Sequence, residues 1–303
     1  MNSQNNLLYF LHIPKTAGSS LSYLLRNHYQ PQLWLPAATL PELLTLRRQD
    51  INTYQCFGGH FGTGLFSLLD RPVSCITMLR DPFEQFISNI NFARKIINNH
   101  KLDDYPIEYR QYCTELINIC SESNYIERII NHPFFIGIFA NYQTRYLGCH
   151  LDLQPFLGKG SPSITLDQLI ADQTDMEVIF NSAKRTLDPM AAVGIVENFG
   201  DSCRLICNFL GISFQGVCPQ LNIAPGRQKG PQASYRQSGI ISADLADRID
   251  ELIQYDYKIY AYGKAIFDRQ LQELNKKPRE SNDKNAKYSN LSKFFFKLRS
   301  FLG

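Results

Sequence analysis

The segment Leu7-Leu-Tyr-Phe-Leu-His-Ile13 is apolar at six of its seven positions and is closed by Pro14. A short apolar run stopped by Pro and followed by small residues reads as a strand buried on both faces, as in parallel sheets. After Gly18, Leu21, Leu24 and Leu25 recur at helical spacing, with Ser19 or Ser20 in the first turn. The stretch is therefore a strand, a tight loop and a helix N-terminus. Such an N-terminus presents backbone N–H groups without intrahelical acceptors and the positive end of the helix dipole, which together suit an anion. Lys15 adds a full positive charge, and Thr16, Ser19 and Ser20 add hydroxyl donors. With the backbone of Ala17 and Gly18, these residues form an expected cradle for phosphate or sulfate.

The rest of the chain extends this pattern. Tyr54-Gln-Cys-Phe57 is strand-like and runs into Gly58-Gly-His-Phe-Gly62, and Val73-Ser-Cys-Ile-Thr-Met-Leu79 is a second buried strand. Val193-Gly-Ile-Val-Glu197 reads as another short strand, and a further one is expected over 176–180. Helices are expected over 41–48, after Pro82, over 166–172 and 181–187, from about Gly200 to Leu210, and as one long amphipathic helix over 242–272. Strands alternating with helices predict an α/β, P-loop-like three-layer fold with a mostly parallel central sheet covered by helices on both faces. Residues 1–274 read as one domain with a helical insertion over 101–131, and residues 275–303 as a basic tail.

Length and composition fit a globular chain: 303 residues, 44% hydrophobic and 19% charged. No apolar run reaches the roughly 20 residues that span a bilayer. The first strand begins within ten residues of Met1 and no basic residue precedes it, so no signal peptide is expected. None of the eight cysteines forms a C-x-x-C pair, and Cys56, Cys75, Cys203 and Cys207 lie in apolar surroundings. They read as free buried thiols in a reducing compartment, hence a cytoplasmic protein. The formal charge of +3 is unevenly placed. Residues 275–303 carry eight Lys/Arg and two Asp/Glu, which leaves the body at −3. Nucleic-acid binding by the body gains no support from that balance. Within the tail, Leu291, Phe294, Phe295, Leu298, Phe301 and Leu302 fall near one helical face among Lys293, Lys297 and Arg299. A peripheral membrane contact through residues 290–302 is one expectation, and a helix docked on the protein or a disordered end the other.

A second motif, Arg80-Asp-Pro-Phe-Glu-Gln-Phe-Ile-Ser88, follows the strand over 73–79. A cation at the carboxyl end of a buried strand lies where open α/β sheets bind ligands. Ser88 is about two helical turns further on, so Arg80 and Ser88 can grip one phosphate by charge-assisted and hydroxyl hydrogen bonds. As a bare pattern, R-D-P equally describes an Arg–Asp pair capping a helix. The G-x-x-x-x-G-K-[ST] pattern of nucleotide triphosphatases is absent, because Lys15 precedes the glycine.

His12-Ile-Pro-Lys-Thr-Ala-Gly-Ser-Ser-Leu21 resembles the 5′-phosphosulfate loop of sulfotransferases that use 3′-phosphoadenosine 5′-phosphosulfate (PAPS). It is most similar to the glycan (heparan/uronyl) 2-O-sulfotransferase branch, whose loop commonly reads H-I-P-K-T-A-G-T-S. Arg80 to Ser88 resembles that family's 3′-phosphate motif, R-D-P-x-x-R-x-x-S, with Gln85 in place of the second arginine. Gly226-Arg-Gln-Lys-Gly230 is similar to the R-K-G element that closes over the 3′-phosphate in cytosolic members, which makes Arg227 and Lys229 candidate cofactor contacts. The resemblance implies PAPS as donor and its product PAP, no metal, and a hydroxyl-bearing acceptor of the glycan class.

Sulfuryl transfer resembles phosphoryl transfer, an in-line displacement governed by positioning and charge stabilisation. Lys15 is placed to neutralise the departing oxygen. His60, after a strand and flanked by glycine, is the candidate general base, since it titrates near neutral pH. The resemblance supports it, because the 2-O-sulfotransferase branch places its catalytic histidine in a similar setting. A lone histidine is as a rule structural. Arg145, in Asn141-Tyr-Gln-Thr-Arg145, and Glu197 match positions that recur in the family and are candidate acceptor or scaffold residues. The competing readings are a kinase-like phosphotransferase and a PAP- or glycan-binding protein without catalysis.

Overall fold

The computed structural model describes residues 7–99, 110–158, 166–171, 173–213, 235–236 and 241–276. Four strands, β1 (Leu7–Leu11), β2 (Cys56–Gly59), β3 (Val73–Leu79) and β4 (Ala192–Ile195), form one all-parallel sheet in the order β2-β1-β3-β4. Every residue of β1, β2 and β4 is buried. Successive side chains on a strand point to opposite faces, so both faces of the sheet are covered. The fold is the α/β architecture expected, with helices making up most of the remainder. Register places Leu11 beside Gly59 and Thr77, and Leu79 beside Ile195, so the carboxyl ends of the strands emerge along one edge.

Helix α1 (Gly18–His28) leaves the loop after β1. The single helix expected over 41–48 is instead two short ones, α2 (Leu40–Leu44) and α3 (Arg48–Ile51). Helix α4 (Pro82–Asn99) follows β3 and carries the second motif. Its outer face, through Phe86, Ile90 and Ile97, joins a second apolar core with α5 (Arg110–Ser121), α6 (Tyr125–Ile130) and α7 (Pro133–Phe139). The described part of the predicted insertion is thus helical and packs on the helix that carries Arg80's motif. Helices α8 (Tyr142–Gly148), α9 (Leu166–Ala171) and α10 (Met176–Leu187) complete the crossover to β4, and α11 (Phe199–Phe209) follows it.

Three further expectations are corrected. Residues 176–180 are helical: Asp175 accepts a hydrogen bond from the Val178 N–H at 3.1 Å, and Ile179, Ser182, Ala183 and Leu187 form one buried helical face. A five-residue apolar run cannot by itself separate strand from buried helix. The helix expected over 242–272 is two, α12 (Ala243–Leu252) and α13 (Gln254–Lys276). The break at Ile253 frees the first amides of α13 for Asn141, whose Oδ1 accepts from the N–H of Tyr255 at 2.9 Å and of Asp256 at 3.3 Å. Finally, Cys203 is disulfide-bonded, whereas Cys56, Cys75, Cys113, Cys120, Cys149 and Cys207 are free. Apolar flanks do not distinguish a half-cystine from a thiol, because both are buried and pairing depends on spatial separation. Cysteine usage therefore does not by itself indicate a reducing compartment. Burial pushes the thiols of Cys56 and Cys75 up to about 12, which leaves them unreactive.

Candidate active site

β1 has β2 on one side and β3 on the other, so the crevice between the ends of β1 and β3 is the point where strand order reverses. The loop after β1 and Arg80 after β3 meet there. Lys15 and Ala17 both take left-handed backbone conformations, with φ of 68° and 60°. For residues with a Cβ this costs about 1 kcal/mol or more each, and such strain persists only where surrounding contacts impose it. Those contacts are present. The Thr16 hydroxyl donates to the Ile13 carbonyl at 2.8 Å, and the amides of Ser20 and Leu21 donate to the Ala17 carbonyl at 3.1 and 3.3 Å. Gln85 Nε2 donates to the Pro14 carbonyl at 3.2 Å, and an Arg80 guanidinium nitrogen donates to the Lys15 carbonyl at 3.1 Å. The second motif thus holds the first in shape. Gln85 is fully buried, and its Oε1 has no partner among the described residues.

Positive charge accumulates at this crevice. Burial, then the nearby charges of Arg80 and Lys95, lowers the Lys15 pKa, so the charged ammonium is disfavoured there. Lys15 Nζ lies 4.2 Å from the centre of the Phe92 ring, a cation–π contact that offsets part of the burial. Arg80 is nearly buried, with Glu84 Oε2 at 3.7 Å from its guanidinium. Ser88 is half-buried on α4. Phe92 and Lys95 were not singled out by sequence reasoning. The signal was available, because Ser88, Phe92 and Lys95 stand at i, i+4 and i+7 and share a helix face.

His60 directly follows β2 and is anchored by its amide to the Ala38 carbonyl at 2.8 Å. Its Nδ1 lies 3.0 Å from the His12 carbonyl oxygen. A carbonyl oxygen only accepts, so Nδ1 carries the proton and Nε2 keeps its lone pair. Burial lowers the His60 pKa from its ordinary 6.5, against a raising effect of that hydrogen bond, so the ring is neutral at pH 7. The His12 ring lies 4.3 Å from that of His60 and 5.2 Å from that of Phe10. His12 also lies against Gly18: a Cβ on Gly18 would stand 1.6 Å from His12 Nε2.

No family model and no curated protein matches this chain. Its chemistry therefore rests on the geometry above.

The remaining predicted residues have other surroundings. The Arg145 guanidinium donates to the carbonyls of Ala140, Ile170 and Gln173 at 3.2, 2.9 and 2.5 Å, which ties α8 to α9. Glu197 sits in a 3₁₀ turn beyond β4; its carboxylate accepts from the Asp81 amide at 2.9 Å and the Tyr260 hydroxyl at 3.0 Å. It braces the R-D-P turn. Ser19 is exposed and Ser20 buried, both in the first turn of α1. Arg227, Lys229 and the tail segment 290–302 lie outside the described residues. Among the described residues, no three His, Cys, Asp or Glu side chains gather as a metal centre would need, and no helix is long and apolar enough to cross a membrane.

Proposed function

We propose that the chain is a sulfotransferase that moves the sulfuryl group of PAPS to a hydroxyl of a carbohydrate. One observation carries the reading: Lys15 and Arg80 meet at the crevice between β1 and β3, where the Lys15 charge is unfavourable in the free protein. Such a cluster is relieved by a polyanion. The residues fit a nucleotide with phosphate at both ends of its ribose. The loop from Lys15 to Ser20, with the N-terminal amides of α1, would hold the 5′ end, and Arg80 with Ser88 the 3′-phosphate. When bound, PAPS supplies an activated sulfuryl group attached through a phosphate oxygen. Lys15 stabilises negative charge on that oxygen, and His60 Nε2 accepts the proton of the acceptor hydroxyl. The body's net charge of −3 does not favour a polyanionic glycan, so a neutral or small acceptor carries equal weight.

Transfer of labelled sulfate from PAPS to a panel of neutral and acidic glycans tests this reading. His60→Ala should lower the rate at least about 10²-fold, the loss expected for a general base. The wild-type rate should fall on acidification with an inflection below 6.5, because the working form is the neutral ring and burial lowers its pKa. An unchanged rate in His60→Ala, or an inflection above 6.5, would move the base elsewhere. Phosphate transfer from ATP in place of sulfate transfer would overturn the function.

A further inference from the structure

We propose that Gln143 is a positioning residue for the anion-binding Arg80, acting through a two-bond bracket on the Arg80 backbone. The inference rests on the reading of Arg80 as a holder of the donor's 3′-phosphate. The Arg80 N–H donates to Gln143 Oε1 at 3.0 Å, and Gln143 Nε2 donates to the Arg80 carbonyl at 2.9 Å. Leu79, paired with Ile195, is the last residue of β3 in the ladder. Arg80 therefore leaves the sheet as a buried residue with no strand paired to it among the described residues. A buried N–H and C=O left unmade would each be costly. The Gln143 amide takes the place of the missing strand, presenting one acceptor and one donor to the same residue.

The residue type follows from that task. Glu lacks the donor, Met lacks both groups, and Asn is one methylene too short to reach from the same backbone position. Gln143 is fully buried and is itself fixed. Its N–H donates to Asp256 Oδ2 at 3.2 Å, while the N–H and hydroxyl of Thr144 donate to Asp256 Oδ1 at 2.8 and 2.7 Å. Asn141 Oδ1 returns the favour to the first amides of α13, so α8 and α13 cap each other. Burial raises the Asp256 carboxyl to about 6, with the Thr144 and Gln143 bonds opposing, so it is ionised at neutral pH. From the rigid bracket the Arg80 guanidinium reaches the Lys15 carbonyl at 3.1 Å. The Asn141-Tyr-Gln-Thr-Arg145 motif thus acts behind the site: Gln143 on Arg80, and Arg145 on local carbonyls.

The test is calorimetric titration of the full chain at pH 7.5 with PAP and with adenosine 5′-monophosphate, which lacks the 3′-phosphate. The proteins compared are wild type, Gln143→Met, Arg80→Ala and the double variant. Gln143→Met should weaken PAP about tenfold, the scale of losing an outer-shell support, and leave the monophosphate unchanged. It should add nothing in the Arg80→Ala background, because a residue acting only through Arg80 has nothing left to position. Thr144→Val, which perturbs the same Asp256 without touching Arg80, should keep PAP affinity. Equal PAP affinity in Gln143→Met, an effect that persists without Arg80, or an equal loss in Thr144→Val would overturn the inference. Should Gln143→Met fail to fold, the side-chain amide resonance of Gln143 in the wild-type protein decides: it should shift on PAP titration with the calorimetric Kd, and an unmoved resonance overturns the inference. Wild-type protein that binds no PAP would instead sink the sulfotransferase reading, and this inference with it.

Discussion

Lys15→Ala is expected to abolish measurable sulfuryl transfer, with a fall of about 10³-fold or more, while leaving the fold as stable as before. The magnitude is that of removing a charge aimed at a developing anion in a partly dehydrated site. The sign of the stability effect is the sharper part. Burial, Arg80 and Lys95 all work against the Lys15 ammonium, which lowers its pKa in the folded chain. A Lys whose folded pKa lies below its unfolded value binds its proton less well when folded, so at neutral pH its charge detracts from stability. The cation–π contact with Phe92 returns part of this. Thermal denaturation of Lys15→Ala should therefore show an unchanged or raised Tm alongside lost transfer. A large drop in Tm would mean that Lys15 serves the fold. Retained transfer would mean that another cation carries the leaving oxygen.

Gly18→Ala should have the second-largest effect, by sterics. The new methyl would stand 1.6 Å from His12 Nε2 and 1.9 Å from its Cδ2, so the ring has to move. It has little room, lying between Phe10 and His60. Overpacking of this kind costs about 1–3 kcal/mol. His12 also supplies the carbonyl that orients His60, and it stands three residues before Lys15. The displacement reaches both ends of the chemistry at once. Melting with and without PAP is the check: Gly18→Ala should melt lower and lose the stabilisation PAP gives wild type. A wild-type response to PAP would show that the loop tolerates the methyl and that His12 does not shape it.

Much of the scaffold was legible because it rests on local pattern. Leu7–Leu11 is a continuous apolar run, and Cys56–Gly59 and Val73–Leu79 are short runs without charge, as strands buried on both faces look from sequence. The Lys15 loop was legible because Pro14 and Gly18 bound it. Several features escaped the sequence for one physical reason, which is that the deciding partner is distant along the chain. The break at Ile253 depends on Asn141, more than a hundred residues away, taking the amides of Tyr255 and Asp256. Arg145 was open between acceptor binding and scaffold from its place in the Asn141–Arg145 motif; in the fold its guanidinium is satisfied by three carbonyls. Gln85 stands where the resembled motif has its second arginine; in the fold its amide braces Pro14. Gln143 carried no visible signal, since its task is defined by where β3 ends rather than by its neighbours.

On the proposed function, the crevice between β1 and β3 is built for a nucleotide with phosphates at both the 3′ and 5′ positions. Calorimetric titration of the wild-type chain with PAP and, separately, with ATP–magnesium tests it most directly, with Arg80→Ala as the paired variant. PAP should bind more tightly than ATP–magnesium, and its affinity should fall in Arg80→Ala while ATP binding does not. Preference for ATP–magnesium, or a PAP affinity indifferent to Arg80, would contradict it.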